Sequence, residues 1–452
     1  MNPQIFREYD IRGIAHKDIT KDDARNIGKA YGTLLQKHGN KKVSVGRDCR
    51  LTSRLFSHHF IEGVLCTGCD VIDIGLCPTP VLYFSIEHLP TQGGAMITAS
   101  HNPAEYNGFK LMNGSESIHS QGLQDLRKII EKQSYAAGKG RLMTADIITP
   151  YKNYLLNNIT IDKGIQIGVD AGNGTGGITA IPVLTQLGCE VHELFCTPDG
   201  SFPNHPADPT VKDNMLKLID LVKTKNLDLG VGYDGDADRI GIIDKSGQLI
   251  YGDQLMVIFA REILGRKPKS TFISEVKCSL NMYNDIEKHG GKAIMWKTGH
   301  SLIKKKMKEE NAALAGEMSG HMFFKDRYFG FDDALYATLR LLEILCKSKK
   351  TVCELLSDLP ETFNTPEIRV DCLDTIKFEV VDKICNLYKK NGAQVIDIDG
   401  MRVVYDDGWG LVRASNTQPS LVLRFEATSK ERLDQIRDDI ENNLEQVIKT
   451  IQ

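Results

Sequence analysis

LDLGVGYDGDADR, residues 227–239, is a leucine- and valine-bearing run that ends in an acidic loop. Such a run suits a strand buried on both faces of a sheet. Two other runs share the form, VSVGRD from Val43 and IQIGVDAGNGTGG from Ile165. A second recurring unit is a helix, a glycine and another strand: LCTGCDVIDIGLCPTP from Leu65, LTQLGCEVHELFCTPDG from Leu184 and IEKHGGKAIMWKTGH from Ile286. Its glycines fit the position that follows a helix. The copies start about 120 and then about 100 residues apart, far beyond solenoid periods, so three similar α/β domains are expected. Alternating strands and helices imply mainly parallel sheets covered by helices, with ligand loops at the carboxyl ends of the strands.

The end of the chain has a different pattern. KFEVVDKICNLYKKNG reads as a helix, and QVIDIDGMRVVYDDGWGLVRAS and LVLRFEA alternate apolar and polar residues as antiparallel strands do. Leu433, Ile436, Ile440, Leu444 and Ile448 recur at helical spacing. The expected division is therefore three α/β domains at 1–146, 147–248 and 249–360, and a smaller α+β domain at 361–452.

Bulk properties narrow the class. A chain of 452 residues with 41% hydrophobic and 25% charged residues is an ordinary multidomain globular protein. The net charge of -3 provides no global basic field for nucleic acid. The run Lys304, Lys305, Lys306 is expected to be a solvated helix face. Eleven cysteines, an odd count without disulfide-like spacing, fit reduced thiols. Cys66 and Cys69 form a CxxC with no second pair, which favours packing over zinc. The start MNPQIFREYDIRG carries charges where a signal peptide needs an apolar run, and no apolar stretch is long enough to cross a bilayer. A cytoplasmic protein without membrane or nucleic-acid partners is expected, acting as a monomer.

Four loops carry groups suited to chemistry. Thr98-Ala99-Ser100-His101-Asn102-Pro103 follows the apolar run GGAMI and offers a serine beside a histidine, either an activated nucleophile or a plain surface turn. In the acidic loop, Asp234, Asp236 and Asp238 alternate and can face one side, where they repel unless a cation neutralises them. Hard oxygen donors select Mg²⁺ or Ca²⁺. An EF-hand would need Gly at the place of Arg239 and Glu at the place of Lys245, and three aspartates leave room for a phosphate oxygen, which suits Mg²⁺. Arg239 itself fits either a phosphate or an ion pair with these acids. Gly316-Glu317-Met318-Ser319-Gly320-His321 pairs a carboxylate and a hydroxyl that suit sugar hydroxyls. Arg413-Ala414-Ser415-Asn416-Thr417-Gln418-Pro419 has the donors of a phosphate cradle, or of a polar hairpin. Gly172-Asn173-Gly174-Thr175-Gly176-Gly177 matches a dinucleotide fingerprint, but a tight strand-to-helix turn is the simpler role for its glycines.

Together these segments resemble the α-D-phosphohexomutase superfamily, in particular its bacterial phosphomannomutase/phosphoglucomutase branch. FREYDIRG at Phe6, TASHNP at Thr98, NGFK at Asn107, DGDADR at Asp234, TGHS at Thr298, GEMSGH at Gly316 and RASNTQP at Arg413 occur in the family's order across nearly the whole chain. The resemblance implies three related α/β domains and a TATA-binding-protein-like fourth around a central cleft. It implies that Ser100 is a phosphoserine, and that Asp234, Asp236 and Asp238 hold Mg²⁺ with a phosphoserine oxygen. By the same resemblance Glu317 and Ser319 would read sugar hydroxyls. Arg413, Ser415, Asn416 and Thr417 would hold the unreactive phosphate, helped by Tyr9 and Arg424. Arg12, His101, Lys110, Arg239, Lys277, His300 and His321 fall at other active-site positions of the family. Gln418 departs from the Glu that many members carry, at a variable position.

The implied reaction interconverts hexose 1-phosphates and hexose 6-phosphates. Phosphoserine donates first, the 1,6-bisphosphate turns over within the site, and its other phosphate returns to Ser100. Glucose 1,6-bisphosphate is then the expected activator, and small hexose phosphates are the expected partners. Closure of the fourth domain would exclude water. His321, Lys110 and Arg12 are the candidates for the base that takes the acceptor's proton. Within the superfamily, phosphoglucosamine mutases usually read DGDGDR and carry Gln in the sugar loop, so Ala237 and Met318 favour the mannose/glucose branch and dual specificity. A Mg²⁺-dependent phosphatase would not need residues 413–417, and a dehydrogenase would use the glycine loop. A binding protein without catalysis would have no use for the metal site.

Overall fold

In the computed structural model, which describes residues 1–416 and 419–451, four sheets follow one another along the chain. The first three repeat one design. A central strand (Lys42–Arg47, Gln166–Asp170 or Thr271–Glu275) has a parallel neighbour on one side (Asp70–Leu76, Glu190–Leu194 or Lys292–Trp296). On the other side lies a second parallel strand (Gly93–Ile97, Leu229–Tyr233 or Leu314–Gly316). Each second strand turns back into an antiparallel one: Tyr106–Asn113, Ile240–Asp244 or Met322–Phe324. Gly93–Ile97 and Leu229–Tyr233 are inner strands, paired on both edges and buried throughout, so they carry no polar side.

This register separates the three runs that share one form. Those from Val43 and Ile165 are central strands, whereas the run from Leu227 is not, and it lies within the expected second unit. Leu229–Tyr233 pairs in parallel with Gln166–Asp170, Val231 beside Val169, inside the second sheet. Its counterparts are Gly93–Ile97 and Leu314–Gly316, and the third unit opens on Thr271–Glu275. All buried parallel strands are written in the same residues, so composition does not tell one sheet position from another. The helix–glycine–strand unit does recur once per sheet, at Asp70–Leu76, Glu190–Leu194 and Lys292–Trp296. The second sheet also takes in Leu249–Ile250, two residues past the expected edge of that unit.

The consequence for function is direct. The serine loop, the acidic loop and the loop Gly316–His321 occupy the same place in three copies of one design. Each is the turn between the second parallel strand and its antiparallel partner.

The fourth sheet is wholly antiparallel, Phe363–Asn364, Ile368–Asp371, Gln394–Ile396, Met401–Tyr405, Gly408–Ala414 and Ser420–Ala427. Two helices, Lys377–Lys390 and Lys430–Lys449, cover one face. Leu433, Ile436, Ile440 and Leu444 are buried there against Val403, Leu423 and Phe425, and Ile448 packs at the edge. This core is separate from the one that runs unbroken through the first three units, from Phe84 through Tyr151 and Val231 to Phe259 and Leu339. The opposite face meets the third unit through a small apolar cluster, Val276 against Trp409 and Leu411, and through polar groups. Arg402 donates to the carbonyls of Val276 and Cys278 and stacks 3.7 Å over the Trp409 ring, while Glu426 accepts from Ser279 Oγ and Trp409 Nε1, both at 2.9 Å. Among the described residues no helix is long and apolar enough to cross a membrane.

Candidate active site

Ser100 adopts φ 50°, the left-handed region that a residue with a Cβ seldom enters. Its N–H donates to Thr98 Oγ1 at 2.9 Å. Its Oγ lies 2.7 Å from Asp234 Oδ2, donating to it, and 3.1 Å from His101 Nδ1. Burial, then the charges of Arg239 and Arg12, push the His101 imidazole well below its ordinary range, so it is neutral near pH 7. Arg12 crosses from the first strand, bonding Asp10 and donating to Asn102 Oδ1 at 2.5 Å.

Asp234, Asp236 and Asp238 are fully buried, and one oxygen of each lies within 4.8 Å of the others. Asp234 Oδ1 accepts from the N–H groups of Asp238 and Arg239, both at 3.1 Å, which curls the loop around that carboxylate. Thr79 Oγ1 donates to Asp236 at 2.5 Å, and Lys110 Nζ sits 2.6 Å from Asp236 and 2.5 Å from Asp238. Burial and the neighbouring carboxylates raise the Asp234 carboxyl well above its usual range. Burial acts most strongly on Asp236 too, but the Lys110 ammonium and the hydrogen bonds from Lys110 and Thr79 together hold that group down. Among the described residues, Oδ1 of Asp236 and Oδ1 of Asp238 are buried and accept no hydrogen bond, the latter lying 3.6 Å from His321 Nδ1. Three hard oxygen donors, two orphaned oxygens and uncompensated negative charge are what a divalent cation satisfies, so the loop can hold a metal ion.

The glycine loop of residues 172–177 lies under this trio. Thr175 donates to the Gly235 carbonyl from its N–H at 3.0 Å and from Oγ1 at 3.2 Å, and a Cβ on Gly174 would stand 2.5 Å from that oxygen. These glycines serve close packing beneath the acidic loop. Gly174→Ala is expected to cost about 1–3 kcal/mol in urea titration, because two backbones would have to part.

His321 is stacked on His300, centroids 5.6 Å apart, and its Nε2 accepts from Arg239 Nε at 2.9 Å. Its Nδ1 lies 3.1 Å from Asp332, an acid that sequence reasoning passed over. Asp332 in turn pairs with Lys304 at 3.2 Å. Lys304 thus corrects the expected solvated face: it turns inward, over the Tyr83 ring at 4.2 Å, while Lys305 is exposed. A periodicity argument would have separated them, since residue 304 follows His300 by one helical turn.

Glu317 accepts from the Gly299 N–H at 2.7 Å and is 3.5 Å from Ser319 Oγ. Tyr9 joins three units, its hydroxyl donating to the Thr298 carbonyl and accepting from Asn416 Nδ2, both at 2.6 Å. Arg413 Nε bonds Asp399 at 3.0 Å, and the same carboxylate accepts from the Thr298 N–H. Ser415 gives its carbonyl to Lys377 Nζ at 2.5 Å. Thr417 and Gln418 lie outside the described residues. Lys277 pairs with Glu367 at 3.0 Å, and that ammonium holds the Glu367 carboxyl down at about 2. Arg424 is spent differently from the expectation: its guanidinium bonds the Lys277 carbonyl and lies 3.4 Å from Asp253, inside the contact between third and fourth units.

Comparison with known proteins agrees with this geometry. Four stretches match family models for phosphoglucomutase/phosphomannomutase: alpha/beta/alpha domain I over residues 3–137, domain II over 149–247, domain III over 251–363, and the C-terminal domain over 367–443. A phosphomannomutase/phosphoglucomutase of Pseudomonas putida is 43% identical, covering 99% of this chain and 97% of that protein. A phosphoglucomutase of Neisseria meningitidis is 42% identical over 98% of this chain and 96% of its own length. The crystal structure of a phosphoglucomutase/phosphomannomutase family protein from Burkholderia thailandensis superposes with a TM-score of 0.93 at 41% identity, over 99% of this chain and 98% of that one.

Proposed function

The chain belongs to the phosphoglucomutase/phosphomannomutase family and is an isomerase, and from that premise we propose the roles of its residues in moving phosphate between the 1- and 6-oxygens of glucose and mannose phosphates. The observation that carries the reading is the 2.7 Å contact between Ser100 Oγ and Asp234, which joins the candidate nucleophile of the first unit to the acidic loop of the second. Bound by Asp234, Asp236, Asp238 and an oxygen on Ser100, Mg²⁺ would supply Lewis-acid polarisation of the phosphoryl group.

The chain's own groups account for the rest. Lys110, held as a cation by its two aspartates, and Arg239 put positive charge beside the transferring oxygens. His321 serves as the base. Of the three candidates, Lys110 is held as an ammonium by two aspartates and Arg12 is a guanidinium paired with Asp10, which leaves the His321 imidazole, its Nε2 given up by the Arg239 N–H when substrate binds. His101 and His300 line the pocket as neutral rings. Glu317 and Ser319 read vicinal hydroxyls. Arg413, Ser415, Asn416 and Thr417 cradle the resting phosphate, with Tyr9 and Lys277 at the rim; Arg424 acts behind them as a buttress. Domains at 1–146, 147–248, 249–360 and 361–452 each carry one of these tasks. The separate core of the fourth, joined to the third by a seam with only a small apolar cluster, favours its closing as a body over a hexose phosphate. Eleven unpaired cysteines support a cytoplasmic setting, with a monomer as the working unit and glucose 1,6-bisphosphate as the activator that charges Ser100.

A coupled assay with mannose 1-phosphate, glucose 1-phosphate and glucosamine 1-phosphate, with and without a trace of glucose 1,6-bisphosphate, tests the proposal. Comparable turnover of the first two, stimulated by the bisphosphate, is expected. Preference for the amino sugar would reassign the branch, and release of inorganic phosphate without the 6-phosphate product would reassign the reaction.

A further inference from the structure

We infer that Arg50 is the positioning residue that holds the Ser100 loop in its reactive geometry, an inference that rests on the reading of Ser100 as the phosphoryl carrier. Arg50 ends the segment GRDCR beyond the strand Lys42–Arg47, and its side chain is completely buried. A guanidinium offers five N–H groups in one plane. Here Nη1 donates to the carbonyls of Pro103 at 2.6 Å and Tyr106 at 3.0 Å. Nη2 donates to the carbonyls of Ser100 at 2.7 Å and Asn102 at 2.5 Å. Nε faces Asp48 Oδ2 at 3.2 Å, and Asp48 also accepts from the Arg50 N–H and from Ser53 Oγ.

Four carbonyls of one loop thus converge on a single buried cation. Those of Ser100 and Asn102 receive no other hydrogen bond among the described residues, while the Pro103 carbonyl also accepts from the Tyr106 N–H at 3.0 Å. Ser100 turns its carbonyl toward Arg50 in the left-handed conformation noted above. The other side of that carbonyl is closed by the acidic loop, where a Cβ on Gly235 would stand 2.5 Å from the Ser100 oxygen. The main chain of the nucleophile is therefore wedged between Arg50 and Gly235, with Oγ against Asp234.

The second unit reaches back to the same guanidinium. The Phe202 ring caps it at 5.0 Å, and Arg50 and Gly200 form a backbone bridge. Arg50 accordingly couples the unit that carries the serine to the unit that carries the acids. Such coupling matters in a reaction whose two transfers run in opposite directions through one oxygen. The loop must return to the same place whether Oγ is free or phosphorylated, and an error of about 1 Å costs about 10²-fold in rate.

Arg50→Lys keeps a cation beside Asp48 but cannot fork to four carbonyls. It is expected to lower kcat about 10²-fold while KM for glucose 1-phosphate stays within about 3-fold, since no substrate contact is removed. The phosphoserine ³¹P resonance, read after charging with glucose 1,6-bisphosphate, should shift or broaden. A kcat within twofold of the parent, or a parental ³¹P signal, overturns the inference. Should that variant fail to fold, Phe202→Leu uncaps the guanidinium and leaves the loop's bonds in place. A fall in kcat of about 5-fold at unchanged KM then supports the role, and parental kcat overturns it. The underlying reading fails in a different way: the parent itself would take no label from ³²P-bisphosphate, and Ser100→Ala would keep its turnover.

Discussion

Ser100→Ala is expected to lower turnover by about 10⁴-fold or more while leaving both the fold and the affinity for hexose phosphate nearly unchanged. The substitution removes a single oxygen. Its neighbours lose little: Asp234 keeps two backbone donors on Oδ1, and the Ser100 N–H and carbonyl contacts to Thr98 and Arg50 are made by the main chain, which alanine also has. The left-handed φ of 50° costs alanine what it costs serine, so the melting temperature should move by no more than a few degrees. What disappears is the atom proposed to carry phosphate between the two oxygens of the sugar. Calorimetric titration with glucose 1-phosphate should give a Kd within about 3-fold of the parent, because the proposed ligands Glu317 and Arg413 are untouched. Near-parental turnover in the coupled assay would remove Ser100 from the mechanism. Parental turnover with no label on the protein would point to direct transfer instead.

Much of this arrangement could be read before any coordinates, and the reason is locality. Ser100, the three aspartates and Glu317 each follow a short apolar strand, and ligand loops gather at such strand ends. The terminal helix announced itself because Leu433, Ile436, Ile440 and Leu444 need only their own spacing to define a buried stripe. The order of strands is another matter. Leu229–Tyr233 and Gly93–Ile97 carry no mark of their sheet position, because pairing is decided by partners far along the chain. The same blindness hid Asp332 and Arg50. Each is an ordinary charged residue until folding brings it a partner, His321 for Asp332 and four carbonyls for Arg50. Arg424 shows the converse. A strand position two residues before Glu426 set its side chain on the face that meets the third unit, where it found the Lys277 carbonyl and Asp253.

Asp234→Asn should separate stability from activity, raising the first as it lowers the second. Asparagine is nearly isosteric, and its carbonyl can still accept the N–H groups of Asp238 and Arg239 while its amide faces Ser100 Oγ. The loop therefore keeps its shape and loses one negative charge. In EDTA that charge is a burden: Asp234 is fully buried, pressed by Asp236 and Asp238, with Lys110 committed to the latter two. Removing it is expected to stabilise the metal-free protein by about 1–4 kcal/mol in urea titration. With Mg²⁺ present the order reverses. The parent gains stability as RT ln(1 + [Mg²⁺]/Kd), and the variant, with two carboxylates in place of three, needs higher concentrations for the same gain. Turnover should fall about 10²–10³-fold, the scale on which a single preorganised electrostatic contact to a transferring group is worth. A variant less stable than the parent in EDTA would show that the loop is held by Asp234 as an anion rather than strained by it. A variant with parental turnover and a parental Mg²⁺ response would show that the ion sits elsewhere, and with it the contact between Ser100 and the acidic loop would lose its meaning.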